Sequence, residues 1–189
     1  AFLIMGIISV GTLFCSSLFY YIPLFILGFL QIKYFSIKSL LGALLGLITP
    51  FWILIGMGLM PFSRLCLLLP DFTGSIPATL PYDDPQFLIV VLTALLGLFS
   101  GVTMLYALFN EKRQIRAYNG FIILLSIYSA ILLILDYRNY ALYLPVLNLA
   151  VAMQSAFVFT MTGKKATVVS FYLIVTLYIG LFIWNLLPA

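Results

Sequence analysis

The chain has 189 residues, of which 65% are hydrophobic, 16% aromatic and 7% charged, with nine Lys or Arg, five Asp or Glu and no His. A water-soluble domain carries about 25% charged residues because its outer shell faces water, so this chain must turn most of its exterior to lipid. The formal charge of +4 is no nucleic-acid signal, since the basic residues form short clusters between apolar runs and no extended patch.

The first apolar run, 2–31, is interrupted only by Cys15-Ser16-Ser17 and Pro23. Split in two, each piece is too short to cross about 30 Å of hydrocarbon. It therefore reads as one long span, kinked near Pro23, whose ring removes a backbone hydrogen bond. Gln31 to Lys38 is a short basic loop, and a second span takes 39–60 with Pro50 past its middle.

Residues 61–86 form the one long connection, with five of the nine prolines and three of the five acids. Within it Phe62 to Leu69 is apolar but too short to cross, and reads as interfacial. A third span takes 87–109, after Asp84-Pro85-Gln86, where the carboxylate is placed as N-cap and Pro at the first helical position. Span four takes 117–135, span five 140–161 and span six 166–187, joined by the tight turn Asp136 to Asn139 and the basic Gly163-Lys164-Lys165. The expected fold class is all-α: a single transmembrane domain, 1–189, built as a polytopic helical bundle of about six spans.

Charge alternates along the connections. Lys33, Lys38, Lys112, Arg113, Arg116, Lys164 and Lys165 fall on one side, and only Arg64 and Arg138 on the other. Basic residues collect on the cytoplasmic side, so loop 61–86 is expected outside, with both chain ends. Tyr34, Tyr106 and Tyr118 then lie near the inner boundary, and Tyr82, Tyr137, Tyr140 and Trp184 near the outer one. The chain opens in apolar sequence with no basic segment ahead of it, unlike a signal peptide, and stops at Leu186-Leu187-Pro188-Ala189 without a polar tail. Both ends read as cuts in a longer protein.

Absent residue types restrict the chemistry. Without His there is no imidazole relay or serine–histidine nucleophile, and no CxxC, Walker A or GxGxxG motif occurs. No charge lies near the middle of an expected span, which disfavours a proton-driven pump. No cofactor is expected. Cys15 and Cys66 read as buried or interfacial thiols. Asp83-Asp84 is the one pair of neighbouring carboxylates; it is either a weak divalent-metal or sugar-phosphate site, or a solvated loop in which Asp84 caps span three. Asp136 and Arg138 read as solvated loop charges, weakly paired at most.

Small residues supply the packing candidates. Gly42 with Gly46, and Gly97 with Gly101, fit GxxxG, which lets another backbone approach closely, within the chain or from a partner. Ser126, Ser129 and Ala130 on span four, and Asn148, Ala152 and Ser155 on span five, fall on single helical faces. They predict an antiparallel hairpin with Asn148 hydrogen-bonded inside the bundle. In the alternative, Asn148 and Gln154 line a solute path. Pro23, Pro50 and Pro145 read as static kinks.

The stretch from Tyr20-Tyr21-Ile22-Pro23 through Leu47-Ile48-Thr49-Pro50-Phe51-Trp52-Ile53, in a Gly- and Pro-punctuated pair of spans that makes up about a third of the chain, resembles a family of uncharacterised bacterial inner-membrane proteins. The resemblance implies a bacterial cytoplasmic membrane and a longer full-length protein, and it carries no functional residues across. The leading expectation is a non-catalytic subunit or scaffold of a membrane assembly, its partners being the bilayer and other membrane chains. A small-solute transporter or substrate-binding membrane subunit is the second, and a fragment of a lipid-linked glycosyltransferase or polymerase acting through Asp83 and Asp84 the third.

Overall fold

A computed structural model of the chain describes residues 1–32, 36–63, 85–109, 111–162 and 165–186, and these are all-helical with no strand. The α-helices are α1 (Phe2–Phe14), α2 (Ile22–Gln31), α3 (Ile37–Gly56), α4 (Pro85–Leu108), α5 (Arg113–Leu135), α6 (Tyr140–Thr162) and α7 (Lys165–Leu186), with 3-10 turns at Ser16–Tyr21 and Tyr137–Asn139. Four of them are long and apolar enough to cross a membrane by length and composition: Ile37–Gly56, Phe87–Leu108, Arg113–Leu135 and Tyr140–Thr160. The chain divides into two compact units, Ala1–Gly74 and Ser75–Ala189.

In the first unit, the run 2–31 is not one kinked helix. It folds back on itself at Cys15, eight residues before Pro23. Cys15 is extended (φ −136°, ψ 102°), and its amide closes α1 on the Gly11 carbonyl at 2.9 Å. Serine competes for backbone partners and favours such breaks, so Ser16-Ser17 starts a 3-10 turn instead of continuing α1. Gly11 leaves room for Leu18, whose Cδ1 lies 2.8 Å from where a Cβ would stand. Pro23 falls in the first turn of α2, where its missing N–H has no intrahelical partner to lose.

The return brings Ile26 and Phe29 of α2 beside Met5 of α1, where they border one small cavity with Ala43 and Leu47 of α3. α1 runs parallel to α3. Phe2 lies against Gly42 and Gly46, the Ser9 hydroxyl donates to the Leu47 carbonyl at 2.7 Å, and Val10 shares a groove with Thr49 and Pro50. Ala1 therefore lies toward the Ser36 end of α3, whereas a single span over 2–31 requires the opposite end. α3 begins at Ser36, whose hydroxyl accepts from the Lys38 amide at 3.2 Å while the Ser39 hydroxyl accepts from the Ser36 amide at 3.0 Å. It continues through Pro50 and stops before Gly58, whose φ of 70° is left-handed backbone suited to glycine.

In the second unit, α6 packs along both α4 and α5. α5 begins at Arg113, four residues before the expected start of span four. The Arg116 guanidinium reaches back to the carbonyls of Phe109 (3.3 Å) and Glu111 (3.1 Å), satisfying acceptors past the end of α4. α4 and α5 meet near this connection, where Met104, Leu108 and Ile123 bury one another with Phe157 and Val158 of α6 against them. α7 is tied to α4 by a 2.7 Å hydrogen bond between the hydroxyls of Thr93 and Tyr178, and to α6 by an edge-to-face contact of Phe171 on Phe159. α6 is continuous through Pro145.

Candidate functional site

Three features of the second unit concentrate polar or cavity-forming residues. The first is a buried amide. Gln154 is 0% exposed. Its Oε1 accepts from the Ser100 hydroxyl of α4 at 3.0 Å, and its Nε2 donates to the Ser126 hydroxyl of α5 at 2.7 Å and the Ile122 carbonyl at 3.3 Å. One side chain thus joins three helices. Unpaired, the amide would be costly in an apolar interior, so this network fixes the register of α4, α5 and α6.

The second feature is a buried carboxylate. Asp136, next to the last residue of α5, is buried, which corrects its expected place as a solvated loop charge. One carboxylate oxygen accepts from the Asn139 side-chain amide at 2.8 Å and from the Tyr143 hydroxyl at 2.9 Å. Tyr143 is itself fully buried on the first turn of α6. The carboxylate therefore latches the α5–α6 connection from within.

The third is a cleft of about 390 Å³ between α4 and α5. The two helices touch near Lys112 and part toward Tyr137. Ala94 and Ala130 line the opening on facing helices, and Leu147 of α6 closes its floor. At the mouth the Phe87 and Tyr137 rings lie 6.5 Å apart, and Tyr137 stacks on Tyr140 at 5.5 Å.

The residues singled out from the sequence distribute unevenly over this geometry. A Cβ on Gly46 would collide with the Phe2 carbonyl and stand 3.2 Å from the Gly6 nitrogen; Gly42 is met by Phe2, Gly97 by Val151, and Gly101 by Ile123 and Gln154. All four lie against neighbours in this chain. Ser126 and Ser129 are buried on α5. The face expected on α6 is wrong: Asn148 and Ala152 are exposed, and the half-buried Ser155 returns its hydroxyl to the Ala152 carbonyl of its own helix.

The stripe that α6 buries is Tyr143, Leu147, Ala150, Val151 and Gln154. It has the same helical spacing, rotated by about one residue, and large apolar side chains rather than small ones fill the contact. Asn148 and Gln154 share no path, since one is exposed while the other is enclosed by three helices. Asp83 and Asp84, the expected cap at Asp84, Cys66 and nearly all of the loop 61–86 lie outside the described residues. Cys15 is a free, exposed thiol. Sequence reasoning missed Asp136 as a buried group; the available signal was Asn139 and Tyr143 three and seven residues on, two donors that recur at helical spacing. Comparison with protein families, with curated proteins and with solved structures finds no match to this chain.

Proposed function

We propose that the chain is an integral protein of the bacterial cytoplasmic membrane, acting as a non-catalytic subunit or scaffold of a membrane assembly. One observation carries the reading. α3 buries only Ala43 and Gly46, while Leu40, Leu41, Leu44, Leu45, Ile48, Trp52 and Ile53 stay exposed. An apolar surface that wraps most of a helix is stable against lipid or against helices of other chains, and not against water. α7 supports it, with Phe171, Leu173, Ile179, Phe182 and Trp184 exposed around its circumference.

The buried polar groups fit a structural role. Gln154 and Asp136 spend their hydrogen bonds on residues of the same unit. The positive-inside rule favours the cytoplasm for the Lys38 and Lys112 ends, and the parallel course of α1 and α3 supports Ala1 on that side as well, in place of an arrangement with both chain ends outside. The test is extraction in mild detergent followed by mass measurement of the intact complex. The expected result is one or more further chains bound; a lone monomer, recovered at several detergent strengths, would refute the subunit role.

A further inference from the structure

We propose that the cleft between α4 and α5 seats one acyl chain of a glycerophospholipid, drawn from the leaflet at the Tyr137 end; the proposal rests on the membrane reading above. The cleft follows one face of α4, from Phe87 through Val91, Ala94 and Leu95 to Leu98, against Ala130, Leu133 and Ile134 of α5. Eleven helical steps make it about 17 Å long, close to half of a 30 Å hydrocarbon core. It thus matches the depth of one leaflet.

Volume selects the occupant. About 390 Å³ lies in the range of small-ligand pockets, whereas a helix segment of that length, 10 Å across with its side chains, takes up about 1,300 Å³. A single acyl chain matches both the length and the volume. The floor is apolar, with Leu133 and Leu147 buried, while Leu95 and Ile134 stay exposed along the edges, so the slot opens sideways.

The mouth suits a lipid headgroup. Tyr137 and Phe87 frame it, as amphipathic and aromatic side chains do at a membrane boundary. The Asp136 carboxylate is turned to Asn139 and Tyr143.

The test reconstitutes the full chain in phosphatidylglycerol vesicles holding a trace of analogue with a mid-chain diazirine, and maps photo-adducts by mass spectrometry. Adducts are expected to concentrate on Val91, Leu95, Leu98 and Ile134. Ala94→Leu and Ala130→Leu, each filling the slot, should lower them by about tenfold, equivalent to one decade of affinity. Ala107→Leu, at an exposed position of α4 outside the cleft, should leave them unchanged. Adducts spread evenly over α3 and α7, or indifferent to both filling variants in protein that stays monodisperse, would overturn the proposal. Failure of the chain to resist carbonate extraction from the vesicles would overturn the membrane reading itself, and the two failures are distinguishable.

Discussion

The Gln154 side-chain amide donates to the Ser126 hydroxyl at 2.7 Å, across α6 and α5, between side chains 0% and 4% exposed. The Ser126 hydroxyl itself donates to the Ile123 carbonyl at 2.8 Å, and Ser100, the second partner of Gln154, also donates to the Gly97 carbonyl at 3.2 Å. Both serines therefore keep a hydrogen bond without Gln154. The glutamine depends on them more than they depend on it.

That asymmetry predicts the order of two substitutions. Ser126→Ala removes an acceptor from a buried amide and should cost about 1–2 kcal/mol. Gln154→Met, of similar shape, leaves both serines satisfied and should cost less than about 1 kcal/mol. In the Gln154→Met background, Ser126→Ala should lose most of its effect. Denaturant titration of the purified protein in detergent measures all three, and equal costs for Ser126→Ala in both backgrounds would dismiss the network as a stabilising unit.

Close approach at Gly46 gives a second prediction. An added Cβ there meets backbone atoms of Phe2 and Gly6, which cannot rotate away as a side chain can. Gly46→Ala should cost about 1–3 kcal/mol, as overpacking does, and should detach α1 from α3. Gly180, within α7, has nothing within 4 Å of its Cβ position. Gly180→Ala should therefore be neutral or stabilise by up to about 1 kcal/mol through helix propensity. Thermal midpoints of the two variants separate the cases.

Helical class and several helix ends were legible, because they rest on short-range chemistry. The start at Tyr140 follows the Asp136 to Asn139 turn, and the long apolar runs set helix length directly, whereas the Ser36–Ser39 capping pair starts α3 two residues before the expected Ser39. The fold-back at Cys15 was not legible because the length argument assumes that every apolar piece must cross alone. Gly11, Cys15, Ser16 and Ser17 were visible, but each is also tolerated within a span. The face of α6 was misread for a related reason. Asn148-Ala152-Ser155 and Leu147-Val151-Gln154 have equivalent spacing, and small residues attract the choice. Three partners from two other helices decide for Gln154, and no local pattern displays them. Whether the cleft exists depends on how far α4 and α5 part beyond Ser100, which is a tertiary property.

The Asp136 latch supplies a third prediction. Tyr143→Phe removes a donor to the buried carboxylate at 2.9 Å, while the Asn139 side-chain amide still donates to it at 2.8 Å. Hydrogen bonds to charged groups contribute about 1.5–3 kcal/mol, so a loss in that range is expected. The α5–α6 turn should also become more accessible, read as faster amide exchange at residues 136–139. An unchanged exchange rate with unchanged stability would mean that the latch does not hold the turn.

The fold-back of the first unit predicts the sidedness of the chain. With α1 parallel to α3, Phe2 sits beside Gly42 and Gly46, and Val10 beside Thr49 and Pro50. In a background with Cys15 and Cys66 replaced by Ser, single cysteines at Ala1 and at Ile37 should react with a membrane-impermeant maleimide from the same face of intact vesicles. A cysteine at Leu59, beyond the other end of α3, should react from the opposite face. A straight span over 2–31 inverts the first result and places Ala1 with Leu59. The outcome turns on Cys15: a helix unbroken there cannot return Ile26 and Phe29 to Met5, and Ala1 would then stand some 45 Å from Gln31 by helix rise alone.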